Sequence, residues 1–426
     1  MIPLHRERVE PAAARASLRR LRLAPHRLAF FAGALVLASA ALWWAAVLAL
    51  RAAGVALPWA VRPGTAHALL MALGFMPLFF TGFLFTAGPR WLAVPAVSTQ
   101  VLRRPLVTML AGWGVALVGF HAAAPLAAAG VASAAGGFAV LCRRFARLVS
   151  ASPEPDRAHA TLALLGCSLC ALAMAAAAAA LALGVDAVAR AAVQVALWGG
   201  IGVVFVSVAH RMLPFFGAAL PALDTRWPRA LLFTLVGLVA AQAPLAAADA
   251  VLAPVDWAAG VLASRSVGEA LAALLLLGLA WRWGRVQPLR MRLLVMLHTG
   301  FFWLGFSFAL LAASHALLAA SAGEFSLGLA PLHAFTMGYL ASTLMAMVTR
   351  VVCGHSGRAV VADAGVWAMF WTLQAAVVLR VGAALWPAAA TAANLAAALC
   401  FAAAELAWAL RYGRWLLLPR FDGRPG

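Results

Sequence analysis

Long apolar runs separated by short arginine-bearing segments make up almost the whole chain, and within them apolar residues follow one another without the two-residue alternation of a barrel strand. Each run approaches the ~20 residues that a helix needs to cross about 30 Å of hydrocarbon. Twelve such spans are predicted: Leu28 to Leu50, Thr65 to Ala87, Pro105 to His121, Pro125 to Leu141, Ala160 to Leu183, Ala191 to Phe216, Ala230 to Ala250, Trp257 to Trp281, Leu293 to Leu318, Leu329 to Val352, Ala364 to Trp386 and Ala388 to Leu410. The third and fourth are short and joined by a tight turn at Pro125. A spanning segment must satisfy its own backbone hydrogen bonds, so these Ala/Leu-rich runs are helices.

Composition removes the alternative of several soluble domains. Of the 426 residues 65% are hydrophobic and only 11% charged, with a mean hydropathy of +0.96; a water-facing surface cannot be covered with so little polar material. The expected fold is all-α, a polytopic bundle of twelve transmembrane helices solvated by the lipid bilayer. Residues 1–27 are expected to form a basic cytoplasmic segment, 28–410 the membrane domain and 411–426 a cytoplasmic tail. The beginning of the chain lacks a cleavage site before the first span and does not resemble a removable signal.

The net charge of +19 comes from 32 arginines without a single lysine. In a soluble protein it would point to nucleic acid. Here 27 of the 32 fall in the segments on the N-terminal side of the twelve-span alternation. By the positive-inside rule both termini are cytoplasmic. The five cysteines lie mostly within or at the ends of apolar runs, where no disulfide framework is expected; Cys167 and Cys170 read as small buried side chains.

Odd spans then run outward and even spans inward, which sets the depth of each polar residue. His67 and His333, near the starts of spans two and ten, lie near the outer face, as do His121 and His315. His210, His298 and His355 lie toward the cytoplasm. With a rise of ~1.5 Å per residue, the inner and outer histidines of one helix are too far apart to share a metal. Spans two and ten also share local text, His67-Ala-Leu-Leu-Met71 and His333-Ala-Phe-Thr-Met337, with His and Met on one helix face. Span six has Gln194 at the matching depth. Spans two, six and ten are four apart, an order that also fits three four-helix units.

A single membrane histidine is ordinarily bonded to a neighbouring carbonyl. Two at one depth on different helices also meet the requirement for clamping a haem from both faces. Arg380, at the same level of span eleven, is expected near the propionates, since an ionisable residue in a span usually faces the bundle interior. Arg265 and Glu269, four apart in span eight, read as a structural pair. Glu405 and Arg350 are expected at the membrane interface, and His5, His26 and His159 have no evident role. His298, His210 and His355 form a second candidate metal group, with Cys353 or Met212 as soft donors suited to reduced copper.

The segments around these residues resemble the NnrS family. The resemblance is carried by His67 to Met71 with Gly82-Phe83-Leu84-Phe85-Thr86-Ala87-Gly88-Pro89-Arg90-Trp91, by Arg211-Met212-Leu213-Pro214-Phe215-Phe216, by His298-Thr299-Gly300-Phe301-Phe302-Trp303, and by His333 to Arg358 with its Gly354-His355-Ser356-Gly357-Arg358 end. It implies a haem- and copper-binding inner-membrane protein linked to nitric oxide metabolism and resistance to nitrosative stress, with b-type haem as the expected cofactor, copper as a second and nitric oxide as a ligand. One departure stands out: the family often reads HAHEM where this chain has His67-Ala68-Leu69-Leu70-Met71, so a second His and a Glu are missing. Two other classes stay open. One is a redox enzyme reducing nitric oxide or oxygen on a pseudo-threefold bundle like that of haem-copper oxidases; the other is a secondary transporter, which would need ionisable groups in broken helices at mid-membrane.

Overall fold

The computed structural model describes residues 15–216, 228–253, 256–286 and 289–423. His5, Arg6, Arg8 and Arg226, and the side chains of Leu213, Pro214, Phe215 and Phe216, lie outside the described residues. Twelve helices long and apolar enough to cross a membrane are present among those described: α1 (Pro25–Ala52), α2 (Pro63–Trp91), α3 (Thr99–Ala122), α4 (Ala124–Ser150), α5 (Ala158–Ala182), α6 (Asp186–Met212), α7 (Arg229–Val251), α8 (Ala259–Arg285), α9 (Arg292–Ala320), α10 (Ala330–His355), α11 (Ala364–Leu385) and α12 (Pro387–Leu417).

The third and fourth spans are not short. α3 begins six residues before Pro105 and α4 continues nine residues beyond Leu141. Hydropathy ends where Arg103, Arg104, Arg143, Arg144 and Arg147 begin, whereas the helices carry on, because arginine is a good helix former and its long stem can snorkel out of the apolar layer. For the same reason α12 runs seven residues past Leu410 and takes in Arg411 and Arg414. This extension corrects the reading of Glu405 as interfacial: three helical turns of α12 follow it, and it is buried on the stripe Phe401, Glu405, Trp408, Tyr412 and Leu416.

α2, α6 and α10 form the inside of the bundle. In their most apolar stretches 83%, 78% and 78% of residues are buried, against 28% to 56% for the other nine spans. Aromatic rings join the three: Trp198 of α6 stacks on Phe335 of α10 with centroids 3.9 Å apart, and Phe205 of α6 lies 5.8 Å from Phe80 and 6.0 Å from Tyr339. Each of the three also contains a π-helical stretch, at Leu70–Gly74, Ala196–Gly202 and Ala334–Ala341. In α2 the distortion is followed by Pro77, which lacks the N–H an unbroken ladder would use. A π turn inserts an extra residue and re-aims the side chains around it, and such turns recur at functional sites.

Glycines allow the outer helices to approach. α3 and α4 form a close antiparallel pair in which a Cβ added at Gly130 would meet Ala116 N at 2.4 Å, and one at Gly112 would meet Gly130 O at 2.6 Å. Small residues at a helix crossing replace, in lipid, the hydrophobic drive that joins helices in water. The Cys167/Cys170 pair belongs to a similar contact: both thiols are free and buried, and a Cβ at Gly200 of α6 would fall 2.4 Å from Cys170 Sγ. The described ends of the chain meet on one side of the bundle. Buried Arg27 donates to the carbonyls of Leu416 and Leu418, both at 2.8 Å, while Ser17 N donates to Leu417 O at 3.0 Å. These bonds cap the last, otherwise unsatisfied carbonyls of α12.

Gly130→Val should push α3 from α4 and destabilise the purified protein by about 1–3 kcal/mol, the usual cost of overpacking, read as a lower melting temperature in detergent. Gly114→Ala, in open space on α3, should leave the melting temperature unchanged.

Candidate cofactor cavity

On the side opposite the termini the three inner helices part around a cavity of about 670 Å³, within the range of small-molecule and cofactor sites. The π stretches border it: Met71 and Ala72 of α2, Leu197, Trp198 and Ile201 of α6, and Met337, Leu340 and Ala341 of α10 all face it. His67, Gln194 and His333 each precede or adjoin the π stretch of their helix, and all three line the cavity. The repeated His/Met text therefore delivers two imidazoles and two thioethers to one space. Sequence periodicity could suggest this for each helix but not that the two faces converge.

The two rings are held differently. His333 donates from Nδ1 to the carbonyl of Leu329 at 2.9 Å, which leaves the Nε2 lone pair for a ligand. His67 stacks on Trp44 of α1, with centroids 4.0 Å apart and planes 28° from parallel, and its Nδ1 is buried without a hydrogen-bond partner among the described residues. A buried polar atom without a partner is costly, and a bound ligand can offset that cost. Arg380 shares the cavity with both rings, as do Arg51, Arg190 and Asn394, whose Oδ1 is also buried without a partner. Arg190 is offset by Asp186 at 3.1 Å, which in turn accepts from Thr65 at 2.6 Å. The cavity is thus apolar in its body and cationic at several points of its wall, a surface suited to a flat apolar group carrying carboxylates.

The wall formed by α7, α8 and α9 corrects the expected Arg265/Glu269 pair. Arg265 instead makes a two-pronged bond to Asp249 of α7, at 2.8 and 2.7 Å, beneath the ring of Trp257. Glu269 accepts from Nδ1 of His315 on α9 at 2.6 Å. Two residues four apart on α8 share a face, but α7 and α9 flank that face and supply partners of better geometry than a neighbour on the same helix.

The histidines toward the termini are not brought together as one group. His210 is bonded through Nδ1 to Nε2 of His159 at 3.0 Å and lies 3.3 Å from the carbonyl of Pro228. His355 packs against His26, with centroids 4.4 Å apart. His298 faces Gly284 of α8, where an added Cβ would lie 3.1 Å from its ring. Among the described residues no three His, Cys, Asp or Glu side chains are arranged to hold a metal ion. His159 and His26, read as lacking a role, are therefore ring partners of two of the candidate ligands. Their position beside basic loops concealed this, because helix extents rather than hydropathy set what they reach.

Asp249→Ala should strand the buried guanidinium of Arg265, destabilising the protein by about 2–4 kcal/mol in thermal melts. The double variant Asp249→Leu/Arg265→Met should recover most of the loss, because no unpaired charge is then left in the bundle.

The NnrS protein family model matches residues 20–420. No curated protein matches the chain. The family match takes in all twelve helices and every residue that lines the cavity. With nearly the whole length of the sequence covered, this chain belongs to the NnrS family.

Proposed function

We propose that this protein binds a b-type haem in the cavity opposite its termini and acts in nitric oxide metabolism and resistance to nitrosative stress, in the inner membrane of a bacterium. The observation that carries this reading is the convergence of His67 and His333, with Met71 and Met337, on one cavity of about 670 Å³ that Arg380 also lines. His67 and His333 would hold the haem iron through their imidazoles and Arg380 would pair with a propionate; Arg51 and Asn394 offer further polar contacts on the same wall. Haem there would supply an iron that accepts electrons and binds diatomic ligands. His333 is tethered by its bond to Leu329, whereas Nδ1 of His67 has no partner among the described residues. The arginine bias supports cytoplasmic termini, and with them a cavity toward the periplasm.

Copper has less to hold it. The thioethers of Met71 and Met337 are soft donors, but the second His and the Glu of the family's HAHEM text are missing. One observation favours a second reading, a haem-copper-type enzyme that reduces nitric oxide or oxygen: a third imidazole, His315, lines the same cavity. Anaerobic consumption of nitric oxide by the reduced protein separates turnover from binding.

The absorption spectrum and metal content of the detergent-purified protein test the main reading. Wild type should carry low-spin haem; His67→Ala and His333→Ala should each give five-coordinate iron or empty protein, and His159→Ala should match wild type. Arg380→Ala should weaken haem retention without abolishing ligation. Wild-type haem content and spin state in both the His67 and His333 variants would make those residues structural. A reporter fused to the C-terminus should be active as a cytoplasmic and silent as a periplasmic enzyme.

A further inference from the structure

Beyond the two candidate axial ligands, the cavity has an ionisable wall that haem ligation leaves unexplained. Glu269 and His315 are both buried, 3% and 6% exposed, and ionisable side chains are retained inside a membrane bundle chiefly where they have work to do. Their hydrogen bond between Oε2 and Nδ1, at 2.6 Å, fixes the ring and leaves Nε2 of His315 for the cavity that this residue lines. The second oxygen of Glu269, Oε1, is buried without a partner among the described residues. A structural ion pair would normally have its remaining lone pairs satisfied. This one keeps an unused acceptor behind the ring and an unused nitrogen in front of it.

The surrounding charges determine how tightly such a pair holds a proton. On the same wall, Arg265 and Asp249 bond to each other and largely cancel. Across the cavity stand Arg51 of α1, His67 of α2, Arg190 of α6 with its partner Asp186, His333 of α10 and Arg380 of α11. Arg51 and Arg380 leave the space net positive. A negative charge arriving in the same space reverses that balance. Two unit charges about 10 Å apart in a protein interior change proton affinity by about tenfold.

We propose that the Glu269–His315 pair is the proton-exchanging site of the cavity, taking up one proton when an electron enters the cavity and releasing it when the electron leaves. The electron comes from an external one-electron reductant and the proton from water. The proton binds at Nε2 of His315, whose other nitrogen remains bonded to the Glu269 carboxylate, so an imidazolium faces the added negative charge and no other bond changes. The electron-linked half rests on the haem reading above; proton exchange by the pair does not.

Two measurements on the full-length purified protein test it. In a redox titration with mediator dyes, the haem midpoint potential of wild type should fall with rising pH. The dependence should be lost in Glu269→Gln, which keeps the size and a hydrogen bond, and in His315→Gln. It should persist in His121→Gln, whose ring is held structurally by Trp43 and Pro58 at 3.0 and 2.9 Å. In infrared difference spectra between two pH values, carboxylate and imidazole bands should change in wild type and vanish in Glu269→Gln and His315→Gln. A wild-type slope in Glu269→Gln overturns the electron coupling, and infrared bands unaltered by both substitutions overturn proton exchange. If the preparation holds no haem, the haem reading and the electron-linked half both fall, and the infrared measurement decides the proton site on its own.

Discussion

Inside hydrocarbon a polar side chain finds its partner within the bundle or not at all, and much of this protein's organisation follows from that constraint. Arg27 is buried at the terminal side and spends its N–H groups on the last carbonyls of α12, tying the first helix to the last. Gln374 of α11 accepts from Trp303 of α9 at 2.9 Å and donates to Ser342 of α10 at 2.8 Å, linking three helices through one amide. Trp408 of α12 donates to Thr349 of α10 at 2.9 Å. Each bond crosses between helices that hydrophobicity alone would not align, since lipid tails are as apolar as leucine.

The cavity keeps unused polar capacity of its own. Nδ1 of His67, Oδ1 of Asn394 and Oε1 of Glu269 lack partners among the described residues, and all belong to the cavity wall or to the layer directly behind it. His121, by contrast, has both ring nitrogens bonded. Buried polar atoms without partners among the described residues occur elsewhere in the bundle too, as at Trp113 Nε1 and Ser207 Oγ; at the cavity they coincide with the π stretches of the three most buried helices. Distorted backbone and unused donors and acceptors are both unfavourable in isolation. Their coincidence is the physical basis for reading this space as a binding site rather than a packing flaw.

The two halves of the molecule use their inner helices differently. Toward the termini Phe80, Phe205 and Tyr339 close the centre, and glycines elsewhere let backbones meet, as at Gly200 against Cys170. Toward the other side the same helices part, with Trp198, which stacks on Phe335, in the cavity wall. The parting leaves His67 and His333 facing one open space.

Much of this architecture is legible in the sequence, because hydropathy, arginine placement and the direction of each span are local properties that survive without knowledge of neighbours. Those properties alone determine twelve helices, the common side of both termini, and the shared depth of His67, His333 and Arg380. Tertiary structure decided what each polar group touches: Arg265 with Asp249 rather than Glu269, Glu269 with His315, and His210 with His159 rather than with a second metal group. Helical periodicity shows which residues share a face, but it carries no information on which helix packs against that face. The π stretches add a further reason, since each shifts the phase of the helix after it, and helix ends that outrun the apolar window bring residues such as Glu405 inside. Partner choice in a membrane bundle is a property of the packed whole, because an unpaired polar group in lipid takes the best partner any neighbour offers.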